Sequence, residues 1–224
     1  MRLAISGVSR GIGEGIALAA QRNGDLLLGI GRPQPQWADE QLAFSFLNCD
    51  MSDLAGLSDV CSDYAEPIDV LICNAAIFAN GAWTATAFTH EALLEAFAVN
   101  TIAPLVMAKS LKKNLEAGER RLIVMMSTGN ASLEGNTSGT MLGYRLSKSA
   151  LNQAVRNLAA EWGSEGFSVV ALNPGWVQTD MGGPDATIPV EEASKQILDF
   201  ISGFSTTRET NGCFVNTDGS PLPW

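Results

Sequence analysis

The sequence predicts a single-domain α/β protein, a doubly wound parallel sheet of about seven strands with helices on both faces. Three observations carry this. Short apolar runs alternate along the chain with longer amphipathic ones. Most of the short runs are apolar at nearly every position, as strands covered on both faces must be. A glycine-rich turn joins the first short run to the first helical pattern. Strands that alternate with helices form right-handed β-α-β units, which wind helices onto both sheet faces.

In chain order, strands are predicted at residues 2–6, 25–31, 43–48, 68–74, 121–127, 168–173 and 213–216. Helices are predicted at 13–23, 53–64, 90–98, 102–117, 144–164 and 190–202. In the fifth helix Leu151, Val155, Leu158 and Trp162 recur at helical spacing and mark a core-facing stripe. The connection 32–43 is too short for a full helix. No repeat or linker divides the chain, and 224 residues suit one large core, so residues 1–224 are read as one domain. Residues 176–189 are rich in Gly, Pro and Thr without a period and are expected to form a substrate loop.

Composition removes several function classes. A hydrophobic share of 46% against 17% charged excludes disorder. The net charge is −10, and Lys112-Lys113 and Arg120-Arg121 are the largest basic groupings, so no nucleic acid is expected as a partner. Acidity does not exclude a small anionic cofactor, which needs only local positive charge. Apolar runs such as 26–28 and 122–126 fall short of the ~20 residues a bilayer needs. Arg10 and Glu14 interrupt the N-terminal apolar stretch, against a signal peptide. A cytoplasmic protein without a membrane partner is expected. Cys49, Cys61, Cys73 and Cys213 form no CxxC pair and are read as reduced, buried thiols. His90 has no Cys or His nearby to share a metal and is read as a helix-start or surface residue.

The turn after the first strand reads Ser6-Gly7-Val8-Ser9-Arg10-Gly11-Ile12-Gly13. Glycines permit a tight turn and close approach of backbone to a ligand, and a helix N-terminus offers free N–H groups to a pyrophosphate. An ordinary βα turn also uses glycines; the position after the first strand of an α/β chain favours phosphate binding. The second strand ends at Gly31-Arg32 with no acid at its tip. An acid there binds a ribose 2′-hydroxyl, whereas an Arg accommodates a 2′-phosphate. Arg10 and Arg32, with no competing carboxylate, favour NADP(H), with NAD(H) as the alternative.

Tyr144 and Lys148 stand at i and i+4, on one face of a helix. A phenol has a reference pKa near 10, so acid–base work by Tyr144 needs a nearby cation, which Lys148 is expected to supply. Alone the pair reads equally well as a helix surface pair. It gains force because the phosphate loop, Asn74, Ser127-Thr128 and Pro174-Gly175 all fall at carboxyl ends of predicted strands, where open parallel sheets bind ligands.

Together these residues resemble the short-chain dehydrogenase/reductase family over essentially the whole chain, which implies a Rossmann-type fold. The phosphate loop is similar to that family's TGxxxGIG, with Ser6 in place of Thr. Asp50, followed by Met51, matches the acid that contacts adenine. Cys73-Asn74-Ala75-Ala76 resembles NNAG, with Ala76 in place of Gly. Asn100 matches the asparagine of the Asn-Ser-Tyr-Lys tetrad, and Tyr144 and Lys148 match its last two members. Asn173-Pro174-Gly175 with Thr179 matches the segment at the nicotinamide end. The branch most resembled is that of the C-factor/sniffer-like carbonyl reductases, through Tyr144-Arg145, the run 174–184 and the tail 218–224.

The resemblance implies the following roles. Gly7, Ser9, Arg10, Gly11, Ile12, Gly13, Arg32, Asp50, Met51, Asn74, Ala75, Ala76, Tyr144, Lys148, Pro174, Val177 and Thr179 would bind the cofactor. Asn100, Thr128 (with Ser127 as the alternative), Tyr144 and Lys148 would be catalytic. Tyr144 would protonate the alkoxide formed from a small aldehyde or ketone, and Lys148 would hold the ribose and lower the phenol pKa. Asn100 would hold a water leading to Lys148. Ile77, Phe78, Trp83, Trp176 and Met181 are candidates for a hydrophobic mouth, with plain packing as the equal alternative. A homodimer or homotetramer is implied, paired through the helices near 102–117 and 144–164. A cofactor-binding sensor or cell-signalling protein of the same fold is the alternative function, and an NAD-linked alcohol oxidant is a third.

Overall fold

The computed structural model describes residues 1–40, 44–78, 82–205 and 210–224. Its centre is β1 (Arg2–Ser6), where Leu3, Ala4, Ile5 and Ser6 are all shielded from solvent. The sheet continues with β2 (Leu26–Gly31), β3 (Phe44–Asn48), β4 (Val70–Cys73), β7 (Leu122–Met126), β8 (Ser168–Asn173) and β9 (Phe214–Asn216). These seven strands lie in the order β3-β2-β1-β4-β7-β8-β9, and every pairing is parallel. The exit from β1 to either side is the switch point at which open sheets bind ligands. Residue 43 of the predicted third strand lies outside the described residues.

Helices cover both faces. α1 (Gly11–Arg22) and α7 (Val190–Gly203) pack on one, with Ile16, Ala17, Ile197 and Ile201 against Leu3, Ile5, Val124 and Val170. α2 (Leu54–Ser62), α4 (Ala103–Ser110), α5 (Lys112–Ala117) and α6 (Leu142–Trp162) cover the other. There Leu151, Val155, Leu158 and Trp162 of α6 are buried, as their spacing requires. A single turn of 3-10 helix, Gln36–Glu40, stands where the second helix of a full-length fold would be.

The predicted helix 102–117 breaks at Leu111, giving α4 and α5. α4 in turn follows α3 (His90–Phe97) through a wide turn at Ala98–Ile102, where the Ala103 N–H reaches back to the Ala98 carbonyl. Residues 90–110 thus form one helical stretch that is long and apolar enough to cross a bilayer. This corrects the expectation drawn from short apolar runs, which stopped counting at isolated polar residues. Half of the stretch is buried inside the fold, and its Asn100 and Pro104 sit in the core, so it packs as a core helix. A hairpin of β5 (Ala82–Thr84) and β6 (Ala87–Phe88) went unpredicted, because strands of three and two residues leave no periodic signal.

Candidate active site

Seven parallel strands bring the predicted site residues to one rim. Gly7 and Gly11 adopt φ of +74° and +59°, a region that favours glycine. A Cβ on Gly13 would drive into the Gly7 carbonyl, so the turn closes as tightly as glycine allows. α1 then begins without a side-chain cap, which leaves its first N–H groups to a ligand. The buried Ser6 hydroxyl accepts the N–H groups of Asn74 and Ala75, both at 3.0 Å. Asn74 Nδ2 donates to the Ser6 and Gly7 carbonyls at 3.0 and 3.3 Å. The ends of β1 and β4 are therefore locked together under the turn. A cradle whose key position admits no Cβ, at an uncapped helix start, fits a dinucleotide pyrophosphate.

The expectation of arginines without carboxylate partners is overturned. Arg32 Nη1 lies 2.8 Å from Asp50, and Arg10 Nη1 lies 2.9 Å from Asp180. The β2–β3 register pairs Gly31 with Asn48, and so sets Asp50 beside Arg32. Asp180 comes from the distant loop after β8, whose Thr179 methyl also covers Gly11. Both pairs are largely exposed and weakly held. The Asp50 carboxyl is kept below the usual range, chiefly by the Ser52 N–H and hydroxyl and also by Arg32. The Met51 side chain is buried in the core cluster, so only its backbone can serve a ligand.

On the other half of the rim, Thr128 directly follows β7 and Ser127. Ser127 is buried and donates to Asn152 Oδ1 at 2.6 Å, away from the cleft. Thr128 Oγ1 instead accepts the Asn130 N–H at 3.2 Å, and its hydroxyl lies near enough to the Tyr144 phenol to draw the phenol pKa down. Successive residues of an extended strand point to opposite sides, which separates the two hydroxyls. Burial outweighs that influence and pushes the phenol up to about 12.

Lys148 does not offset this, contrary to expectation. It is fully buried, its Nζ donates to the Met126 carbonyl at 2.7 Å, and burial brings its pKa down to about 8. A desolvated ammonium needs an acceptor, and the last carbonyl of β7 is the one in reach. The Asn100 side chain is likewise fully engaged. Its Oδ1 accepts the Ile77 N–H at 2.8 Å, and its Nδ2 donates to the Ile77 carbonyl and Ser147 Oγ. That amide braces the 77 segment against α6, and a water would have to use other atoms.

The Tyr144 ring meets Phe78 at 4.6 Å between centroids, and Phe78 meets Trp83 at 6.5 Å. Trp83, Trp176 and Met181 are exposed around the rim. The segment 176–189 is closed on itself. Val177 bridges Ile188, Trp176 Nε1 donates to the Gly182 carbonyl, and the Thr179 hydroxyl accepts the Gly182 N–H at 3.0 Å. Pro174 and Val177 are buried at its base. Ser9, Ile12, Ala75 and Ala76 are half-buried around the turn. Sequence reasoning placed Asn173 at the nicotinamide end without its bracing role, and left out Asn152. Asn173 Oδ1 accepts the N–H groups of Gly129 and Gly175, each at 3.3 Å, and Asn152 holds Ser127. Asn173 opens the Asn-Pro-Gly run at a strand end, a signal that was available; Asn152 has none, being one buried polar residue within an apolar helix stripe.

Residues 7–198 match the family model described as enoyl-(acyl carrier protein) reductase. The chain belongs to the short-chain dehydrogenase/reductase family. The C-signal protein of Myxococcus xanthus is 39% identical to it over 159 residues, covering 70% of this chain and 93% of that protein. The solved carbonyl reductase Sniffer of D. melanogaster is 32% identical, with a TM-score of 0.91 over 100% of this chain and 99% of that one. An NADPH-bound carbonyl reductase from chicken fatty liver is 26% identical, with a TM-score of 0.90 over 100% and 98%. A Pseudomonas aeruginosa carbonyl reductase in complex with NADP is 30% identical, with a TM-score of 0.79 over 100% and 99%. As a short-chain dehydrogenase/reductase the chain is an oxidoreductase, and its seven-stranded sheet with flanking helices is the family's fold.

Proposed function

We propose that this short-chain dehydrogenase/reductase is an NADP(H)-dependent reductase of aldehydes or ketones. The observation that carries the reading is Tyr144 and the buried Lys148 on one helix, with Thr128 following β7 on the same rim as the glycine cradle. When bound, the nicotinamide supplies the hydride. The turn residues 7–13, Asn74, Ala75, Ala76, Pro174, Val177 and Thr179 would hold it, with Lys148 reaching the ribose and Asp50 the adenine. Arg10 and Arg32 would take a 2′-phosphate in exchange for their exposed carboxylates, since a phosphate offers more acceptors and charge. NADP-bound carbonyl reductases among the similar structures support that choice.

Thr128 hydrogen-bonds the substrate carbonyl oxygen and stabilises the charge that grows there. Tyr144 gives its proton to the developing alkoxide, and its burial keeps it protonated until then. Phe78 packs on the Tyr144 ring and Trp83 on Phe78, and the 176–189 loop borders the substrate. The four cysteines are free thiols, which supports a reducing, cytoplasmic setting. Exposed Leu94, Ile102 and Leu146 on α3, the wide turn and α6 support a homo-oligomer.

NADPH consumption across a panel of aldehydes, ketones and quinones tests the reading, and turnover that survives Tyr144→Phe sinks it. The likeness to C-signal, whose name denotes signalling, favours one alternative, a cofactor-binding sensor. Tight NADPH binding without turnover on the whole panel would select it.

A further inference from the structure

Residues 176–189 form a closed body that docks on the glycine turn through two adjacent residues. Inside it, the Ile188 N–H donates to the Trp176 carbonyl at 3.0 Å and the Gln178 N–H to the Ile188 carbonyl at 2.8 Å. Gln178 Nε2 donates to the Ala186 carbonyl at 2.9 Å, and the Gly183 N–H to the Thr179 carbonyl at 2.8 Å. A Cβ on Gly182 would drive into the Val177 carbonyl. On the outside, the Thr179 methyl covers Gly11, and Asp180 Oδ2 accepts Arg10 Nη1 at 2.9 Å. Trp176 and Met181 of the same body are exposed on the substrate rim. A segment closed on itself in this way moves as a unit, so a change at Asp180 reaches Trp176.

We propose that Asp180 is a specificity-determining residue, which competes with the cofactor 2′-phosphate for Arg10 and so couples that phosphate to the loop bordering the substrate. This rests on the NADP(H) reading above. The Arg10 and Asp180 side chains are 80% and 79% exposed, so water screens the pair and another anion can replace the carboxylate at little cost. A phosphate offers the guanidinium more acceptor oxygens and more charge than a carboxylate does. Once Arg10 turns to it, the Asp180 carboxylate stands beside a like charge. The body then loses its hold on Arg10, while Thr179 keeps its place on Gly11. A 2′-hydroxyl carries no charge to draw Arg10 away, so the adenosine half of NAD(H) leaves the pair closed. Arg32 provides no such coupling, because its partner Asp50 lies between β3 and α2, outside the loop.

Adenosine 2′,5′-bisphosphate and 5′-AMP differ by the 2′-phosphate alone, and neither carries a nicotinamide to touch the loop. Backbone hydrogen exchange of residues 176–189 is followed with each at saturation, in the parent and in Asp180→Asn, an isosteric change at an exposed site. In the parent, the bisphosphate is expected to speed exchange at Gln178, Gly183 and Ile188 by about threefold over 5′-AMP, within the range of an exposed ion pair. In Asp180→Asn, exchange is expected to be fast with either ligand. By linkage, the variant is also expected to bind the bisphosphate about threefold more tightly at low salt, with 5′-AMP affinity unchanged. Equal exchange with the two ligands in the parent, or a difference that persists in Asp180→Asn, overturns the proposal. A bisphosphate that binds the parent no better than 5′-AMP ends the NADP(H) reading and this proposal together. Tighter binding with an unmoved loop ends this proposal alone.

Discussion

The rim below β1 and β4 and the rim below β7 and β8 are made of different materials. The first is backbone: Gly7, Gly11 and Gly13 closed over an uncapped helix, tied by Ser6 and Asn74, with two exposed ion pairs outside. The second is side chain: a half-buried phenol and hydroxyl and a buried ammonium, each with a shifted pKa or a named partner. Shape governs the first half and electrostatics the second. A substitution in the first should change what binds, and one in the second what reacts and at which pH.

Tyr144→Phe tests this division most severely. Loss of a positioned acid should lower turnover by about 10³-fold while NADPH affinity, read by fluorescence, stays within a factor of two or so. A matching fall in affinity would mean the halves are not separate. The next largest effect concerns Lys148. Its proton is released near pH 8 in the folded state, against a reference of 10.5 for the unfolded chain. Between those values the unfolded chain binds more protons, so stability rises with pH through the window and is lower by of order 3 kcal/mol at and below pH 8. Urea midpoints of the parent should therefore gain on those of Lys148→Met between pH 7.5 and 9. In the unfolded chain the cysteine thiols begin to ionise in this range, and that is common to both proteins. Parallel curves would contradict the burial of the ammonium.

In the backbone half, Gly13→Ala should destabilise by about 2 kcal/mol through overpacking and abolish measurable NADPH binding. Calorimetry and the same fluorescence titration read both, and retained affinity would show that the turn has slack. The smallest effect is expected for Asp180→Asn. Releasing Arg10 from an exposed partner should tighten NADPH binding by no more than about fivefold, with the gain vanishing at high salt. A larger, salt-insensitive change would mean that Asp180 does more than screen Arg10.

Much of this was legible in the residues. The apolar runs at 2–6 and 168–173 match β1 and β8 residue for residue, since strands buried on both faces have no other composition open to them. The alternation of a strand sets Ser127 and Thr128 on opposite faces, and the structure engages Ser127 with Asn152. Pro104, which has no N–H to bond back to the Asn100 carbonyl, marks the wide turn at 98–102, whereas the break at Leu111 has neither Pro nor Gly to announce it.

Local order along the chain therefore carries the elements, the glycine turn and the Tyr144–Lys148 spacing, because each depends on neighbours within a few residues. Pairings across long separations had no such trace. Asp50 beside Arg32 follows from a strand register, Asp180 beside Arg10 from a loop 170 residues away, and Lys148 beneath Met126 from the depth at which α6 packs. The charges were readable, but their partners, and so their pKa values, came from the distances and burial that folding imposes.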